Sequence, residues 1–268
     1  MLVLVLLAIL APQVAPYSPT AQHLSLRLKP PGFVGPDGGL RLAGTDQFGR
    51  DMLSRLIYGV RIPLIVGFAS ALFGAAIGLM VGLPAGYFGG STDTFLSTLM
   101  DVQLSMPFIL VALAVIALFG SSAANIILVF ALTSWAVNAR VARAVATSLR
   151  ASQFVEAARS LGAGHLWILR RHVIVNALPP VLVVASVQVA QFIIYESAFG
   201  FFGMGVPPPA PTWGNMLADA RNYLREAWWM GTFPGLCIML VALAVNLFGD
   251  GLRDALDPRE VQVGRADK

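Results

Sequence analysis

Long apolar runs alternate with short polar segments along most of this chain. Five runs have the length, roughly 17–25 residues, that a helix needs to cross a hydrocarbon core about 30 Å thick. These runs lie at 62–84, 99–119, 125–142, 180–202 and 229–248. The pattern therefore predicts five membrane-spanning helices.

A sixth apolar run, MLVLVLLAILAPQVAPY, opens the chain. As a helix, its first 15 residues would measure only about 22 Å, which is shorter than the hydrocarbon core. No Lys or Arg precedes Arg27 and no A-x-A cleavage site follows the run, so it differs from a signal peptide. We expect a retained first helix that is the second half of a span.

These spans predict an all-α integral membrane protein. Ten of its eighteen Lys and Arg residues fall in 137–172 and after 248, which places both regions on the cytoplasmic side. Six more lie in the loop 17–61, whose length and prolines mark it as translocated, where the charge rule weakens. The predicted segments are a partial first transmembrane helix (1–16), an external loop (17–61), a transmembrane core (62–248) with a cytoplasmic coupling segment (143–172), and a cytoplasmic tail (249–268).

Composition supports a membrane protein and excludes several functional classes. Only 12% of the residues are charged, against about 25% in soluble proteins. The single cysteine excludes a disulfide framework, and His165 and His172 are not at the i, i+4 spacing of metal ligands on one helical face. The sequence contains no G-x-x-x-x-G-K-[ST] phosphate loop and no nucleophile and base pair. We expect no metal site, no catalytic residue and no cofactor in this chain.

A stripe of small residues follows the span at 62–84. Every fourth position is small, and such a stripe lets another helix approach closely. Its members are Ser70, Gly74, Gly78, Gly82 and Gly86. We expect a helix contact here, with a partner helix that the sequence does not identify.

Polar residues interrupt the span at 180–202. Gln188, Gln191 and Tyr195 follow the i, i+3, i+7 spacing of one helical stripe, and Glu196 lies beside them. Ionisable residues inside a span usually face a cavity or a partner. These four residues are therefore candidates to line a translocation pathway. Alternatively, Glu196 lies near the outer interface or bonds to a neighbouring helix.

The segment QFVEAARSLGAGHL, at 153–166, is short and charged and lies between two long apolar runs. Residues 151–161 favour a helix, with Ser152 at its N-cap and Gly162 and Gly164 ending it. Ala157 and Ala158 would give this helix a flat surface outside the bilayer. A docking site for a partner and a solvated linker are both compatible with the pattern.

The sequence resembles a known transporter family at several positions. Glu156-Ala157-Ala158 followed by Gly162 resembles the EAA motif of permease subunits of bacterial ABC importers. Further stretches resemble the C-type subunit of the dipeptide, oligopeptide and nickel permeases. They are GTDQFGRDMLSRLIYGVR (44–61), GYFGG (86–90), LPP (178–180), PTWGNML (211–217) and NLFGDGLRDALDPR (246–259). The chain departs from this family at Val175, where the family has proline, and it has no charged stretch before its first span.

The resemblance implies a type I permease of the ABC importer class, located in the bacterial cytoplasmic membrane. Its partners would be a homologous permease, two cytoplasmic ATPases that bind ATP and Mg²⁺, and an external substrate-binding protein. Glu156, Ala157, Ala158 and Gly162 would form the ATPase-coupling site. The implied substrate is a short peptide, with nickel or another small solute as the alternative. A different class, a channel or scaffold that works without nucleotide, also stays open.

Overall fold

The computed structural model describes residues 1–36 and 38–256, which fold mainly into helices. The helices are α1 (Leu2–Val14), α2 (Met52–Gly59), α3 (Arg61–Phe88), α4 (Gly90–Ser105), α5 (Phe108–Phe119), α6 (Ala123–Arg150), α7 (Gln153–Ser160), α8 (His165–Ile168), α9 (Ile174–Phe201), α10 (Trp213–Ala220) and α11 (Trp229–Leu256). A 3₁₀ turn (Leu24–Leu26) and a two-stranded antiparallel ribbon, β1 (Phe33–Val34) and β2 (Leu40–Arg41), lie in the loop before α2. One π-helical turn (Leu169–Val173) joins α8 to α9.

Four of the predicted spans are confirmed as long apolar helices. Within the described residues, the stretches with the length and composition to cross a membrane are Met52–Phe88, Ala123–Arg150, His165–Phe201 and Trp229–Ala255. The last of these helices runs past residue 248, so the beginning of the predicted tail is helical. Predictions for residues 257–268 lie outside the described residues.

The predicted span at 99–119 is not one straight helix. It is divided between α4 and α5, whose axes differ by 82°. Pro107 has no N–H to continue α4, and the ring of a proline disfavours helical backbone at the preceding residue. Met106 is accordingly extended, with ψ at 124°.

The first helix is bound to α3 by an arginine. Pro12 lies inside α1, and because proline has no N–H, the carbonyl of Ala8 loses its partner within the helix. Arg61 replaces that partner: its Nε donates to the Ala8 oxygen at 2.6 Å and its Nη2 donates to the Ile9 oxygen at 3.3 Å. At 13 residues, α1 is shorter than a span, as predicted.

The chain divides into two compact units. One comprises Met1–Phe68, Ile116–Ile127 and Ala190–Val245, and the other comprises Ala69–Val115, Leu128–Val189 and Asn246–Lys268. We call them unit 1 and unit 2. Unit 1 contains the predicted external loop, and unit 2 contains the glycine stripe and the predicted coupling segment.

Unit 1 is held together by a buried cluster of charges. Arg50 Nε donates to Asp46 Oδ2 at 2.6 Å, and Arg55 Nη1 donates to the same oxygen. Arg50 Nη2 donates to Asp219 in α10 at 3.3 Å. Buried charges are tolerated when they are paired and hydrogen-bonded in this way. The cluster therefore joins the loop before α2 to α10.

Unit 2 is built on close contact between α3 and α6. A Cβ added at Gly78 would lie 2.5 Å from the Cβ of Asn138 and 2.9 Å from the backbone N of Ala139. At Gly82 it would lie 2.9 Å from the Cα of Ala139. Gly74 and Gly86 also abut α6, and Ser70 is buried on the same stripe. The partner of the small-residue stripe within the chain is therefore α6.

Ion pairs attach α4 to α6 beside this contact. Arg143 donates to Asp93 through Nε at 2.5 Å and through Nη2 at 2.7 Å. This bidentate geometry is typical of strong pairs between arginine and a carboxylate. Arg140 and Asp101 also pair, at 2.6 Å, but both are exposed and the pair adds little stability.

Candidate coupling site

The helix α7 begins and ends close to where the sequence predicts. Ser152 occupies the N-cap position, although its hydroxyl donates to the Leu149 carbonyl at 2.5 Å instead of capping α7. At the other end Gly162 has φ +87°, a conformation that glycine adopts without strain. The N–H of Ala163 donates to the Ala158 carbonyl and that of Gly162 to the Arg159 carbonyl. This pair of bonds is the Schellman motif, which terminates helices at a left-handed glycine.

One side of α7 faces the protein and the other is open. Val155 is fully buried, so it marks the side of α7 that faces the interior of unit 2. Glu156, Ala157 and Gly162 are exposed, and Ala158 is half-buried. The predicted coupling residues therefore share an accessible surface.

Large apolar side chains extend this surface around the turn into α8. Leu161 is 89% exposed, Leu166 is 67% exposed and Trp167 is 52% exposed. We call these three residues, with Phe154, the apolar corner. Contiguous exposed apolar groups rimmed by polar ones mark interaction sites in proteins.

Basic residues lie beside the apolar corner. An open groove of about 530 Å³ is lined by Gly164, Leu166, Trp167, Arg170 and Arg171. Both arginines are exposed. The surface thus combines apolar contact area with positive charge, which suits a partner that carries acidic groups at its rim.

The far side of the corner is anchored to unit 2. Ile168 and Val173 are buried, and the His172 ring lies 5.5 Å from the Phe154 ring and 5.2 Å from the Trp167 ring. Val175, where the family resemblance predicts proline, lies inside α9. The chain returns from α8 to α9 through the π turn, as one continuous helical stretch.

The structure separates the four predicted pathway residues into three environments. Gln188 is buried and accepts a hydrogen bond from Asn138 Nδ2 of α6 at 2.9 Å. Gln191 is exposed and donates to the Tyr195 hydroxyl at 2.6 Å. Glu196 has no solvent exposure, and neither of its carboxyl oxygens makes a hydrogen bond in the part of the chain that the structure describes.

Two residues near these sites were not singled out from the sequence. Asn138 pairs with Gln188, and Tyr87 contacts both α7 and α8. Asn138 carries a weak signal, an amide within an apolar run. Tyr87 lies in the quoted GYFGG stretch, but nothing local distinguishes it from a residue of the apolar core.

Comparison with known proteins identifies the family. The model of the binding-protein-dependent transport system inner membrane component matches residues 74–262, and that of the N-terminal TM domain of oligopeptide transport permease C matches residues 1–31. The chain is 40% identical over 259 residues to the di/tripeptide transport system permease protein DppC of Pseudomonas aeruginosa, covering 97% of this chain and 86% of the relative. It is 42% identical over 257 residues to the dipeptide transport system permease protein DppC of Escherichia coli K12, covering 96% and 86%.

Solved structures share the fold. The inward-facing MetNI methionine ABC transporter aligns with a TM-score of 0.63 at 21% identity, covering 77% of this chain and 98% of that one. This likeness confirms the predicted fold, the type I fold of ABC importer permeases. The family match spans more than half of the chain, and the long apolar helices agree with a multi-pass protein of the bacterial cytoplasmic membrane. The chain belongs to the family of inner-membrane components of binding-protein-dependent transport systems, as an ABC importer permease.

Proposed function

We propose that this chain carries short peptides into the cytoplasm as one permease subunit of an ATP-driven importer. The observation that supports the substrate is the identity of 40% with a di/tripeptide permease over 97% of the chain. The aligned region covers nearly the whole chain, so it includes the membrane helices that a passing peptide would contact.

The importer needs further subunits, since this sequence has no phosphate loop. In the proposed assembly, a homologous permease completes the pathway and an external binding protein delivers the peptide. Two cytoplasmic ATPase subunits bind ATP and Mg²⁺. The segment 143–172 faces the cytoplasm, and α7 docks on an ATPase.

Alternating access would then follow from the docking of α7. ATP binding closes the ATPases, α7 moves with them, and the spans shift to open the pathway outward. Closure can drive this change only through contacts that differ between the two states. The exposed Glu156 and the apolar corner support such a contact, because their area is free to pack against a partner.

In this proposal the peptide passes along polar groups of α9. Gln191 and Tyr195 form an accessible pair that can hydrogen-bond a peptide backbone. Glu196 is sealed from solvent in this conformation, so it would meet a peptide ammonium group only after the neighbouring helices separate. Gln188 has a different role, because its bond to Asn138 holds α6 and α9 together.

Reversing the charge of Glu156 tests the docking site. The measurement is uptake of labelled trialanine and ATP hydrolysis by proteoliposomes that contain this chain with its partner permease, ATPases and binding protein. We expect Glu156→Lys to reduce ATP-driven uptake by about 10-fold or more, because a lysine would disrupt contacts that differ between the two states. The variant should still insert and assemble, since Glu156 is exposed.

Glu226→Lys is the matched control, since it makes the same charge reversal at an exposed glutamate outside the coupling segment. Its uptake should equal that of the unaltered complex. Normal uptake by Glu156→Lys would contradict the docking assignment.

A further inference from the structure

Tyr87 is fixed to the membrane helices of unit 2. It lies near the C-terminal end of α3 and is only 1% exposed. The preceding residue, Gly86, abuts α6 so closely that an added Cβ would lie 2.8 Å from the Cβ of Ala146. Ala85 is part of the buried cluster that includes Met100 and Ala139. The backbone at Tyr87 is therefore held in the tight contact between α3 and α6.

The side chain of Tyr87 contacts both sides of the turn between α7 and α8. The guanidinium carbon of Arg159, in the last turn of α7, lies 5.2 Å from the centre of the Tyr87 ring, within the range of a cation–π contact. The Tyr87 hydroxyl forms a hydrogen bond with Nδ1 of His165, the first residue of α8, at 3.1 Å. The two rings also meet edge to face, with centres 5.8 Å apart.

We propose that Tyr87 transmits the displacement of α7 to α3. This inference rests on the proposed docking of an ATPase at α7. The backbone already links α8 to α9 through the π turn, so a push on α7 reaches α9 along the chain. It reaches α3 through side chains: the exposed Phe88 ring lies 6.0 Å from the His165 ring, and the buried Tyr87 contacts both the end of α7 and the start of α8. Tyr87 is thus a positioning residue that makes α3 and α9 respond to the same movement.

The Schellman turn makes this arrangement effective. The turn at Gly162 fixes the angle between α7 and α8 by two backbone hydrogen bonds. Arg159 and His165 therefore move together, and the Tyr87 ring between them receives the motion from both. Removing the Tyr87 ring would leave α7 able to dock but weaken its link to α3, which would keep the contact between the rings of Phe88 and His165.

The test compares tripeptide transported per ATP hydrolysed in the reconstituted complex, with labelled trialanine as the probe. Tyr87→Phe keeps the ring and loses the hydrogen bond to His165, and we expect the ratio to fall about 2-fold. Tyr87→Leu loses the hydrogen bond and both ring contacts, and the ratio should fall about 5-fold or more. Phe95→Leu is the control, because it removes a ring that is 70% exposed on α4, and its ratio should be unchanged.

A double-mutant cycle tests whether the Tyr87 hydroxyl and the His165 imidazole affect the transport ratio through each other. If the hydroxyl and the imidazole act as one link, combining Tyr87→Phe with His165→Phe should lower the transport ratio no further than the more impaired of the two single variants does. This cycle decides the question even if Tyr87→Leu fails to assemble. Additive losses in the cycle, or an unchanged ratio in Tyr87→Leu, would overturn the inference.

The same experiment distinguishes this inference from the proposed function. If the unaltered complex takes up no peptide with ATP, the proposed function fails before any variant is compared. If the unaltered complex transports, Glu156→Lys is uncoupled and the Tyr87 variants behave normally, only the role of Tyr87 is wrong.

Discussion

At the scale of single residues, Asp46 shows how the chain tolerates charge in an apolar setting. Its carboxylate is completely buried, yet it accepts hydrogen bonds from the backbone N–H groups of Phe48 and Arg50 and from the side chains of Arg50 and Arg55. Neutralising such a group leaves its partners without compensation, which costs more than the pair itself contributes. The stretch GTDQFGRD therefore has a structural role: its buried aspartate holds two arginines of unit 1 in place. We call this arrangement the clamp.

Asp46→Ala should destabilise the protein strongly. The guanidinium groups of Arg50 and Arg55 would stay buried but lose their main hydrogen-bond acceptor. This loss should lower the free energy of unfolding by about 3–5 kcal/mol. The measurement is the thermal unfolding midpoint of the detergent-solubilised complex. Asp250→Ala, at an exposed aspartate of α11, is the control and should leave the midpoint unchanged. Equal midpoints for both variants would contradict the clamp.

At the scale of helices, unit 2 depends on close backbone contact between α3 and α6. The glycines of α3 bring its backbone against that of α6, and the shape of this contact depends on the absence of Cβ atoms. An added side chain on this face must displace backbone, whereas one on the opposite face of α3 meets no such obstacle.

Gly78→Leu should therefore impair assembly, while Ala76→Leu should not. Overpacking a tight contact costs about 1–3 kcal/mol, and more where backbone atoms are the obstacle. Ala76 is exposed on the same helix, so it accepts the same added bulk. The measurement is the yield of complex recovered with the partner permease after solubilisation. Equal recovery of the two variants would show that the stripe does not govern packing.

Features encoded locally could be predicted from the sequence, and features that depend on distant pairing could not. The glycine spacing predicted a contact face on α3, and Ser152 and Gly162 predicted the limits of α7, because periodicity and caps are local. The identity of α6 as partner, and the bonds from Arg50 to Asp219 across 169 residues and from Tyr87 to His165 across 78, depend on the tertiary fold. The angle of 82° between α4 and α5 was not predicted either, because the sequence shows only one apolar run at 99–119.

At the scale of the whole molecule, the chain has the features of one subunit of a larger machine. Its sequence contains no phosphate loop, yet it belongs to an importer family that is driven by ATP. Leu161, Leu166 and Trp167 are exposed on the segment that we propose docks on an ATPase. These features agree with a permease that converts the movement of an ATPase into access for a peptide.

The most direct test of this account is accumulation of labelled trialanine in proteoliposomes containing the complete complex, with and without ATP. We predict uptake against a gradient only when ATP and the binding protein are present, and competition by unlabelled dipeptides but not by Ni²⁺. Uptake that is independent of ATP would contradict an importer and indicate a channel. Competition by Ni²⁺ alone would contradict the peptide substrate.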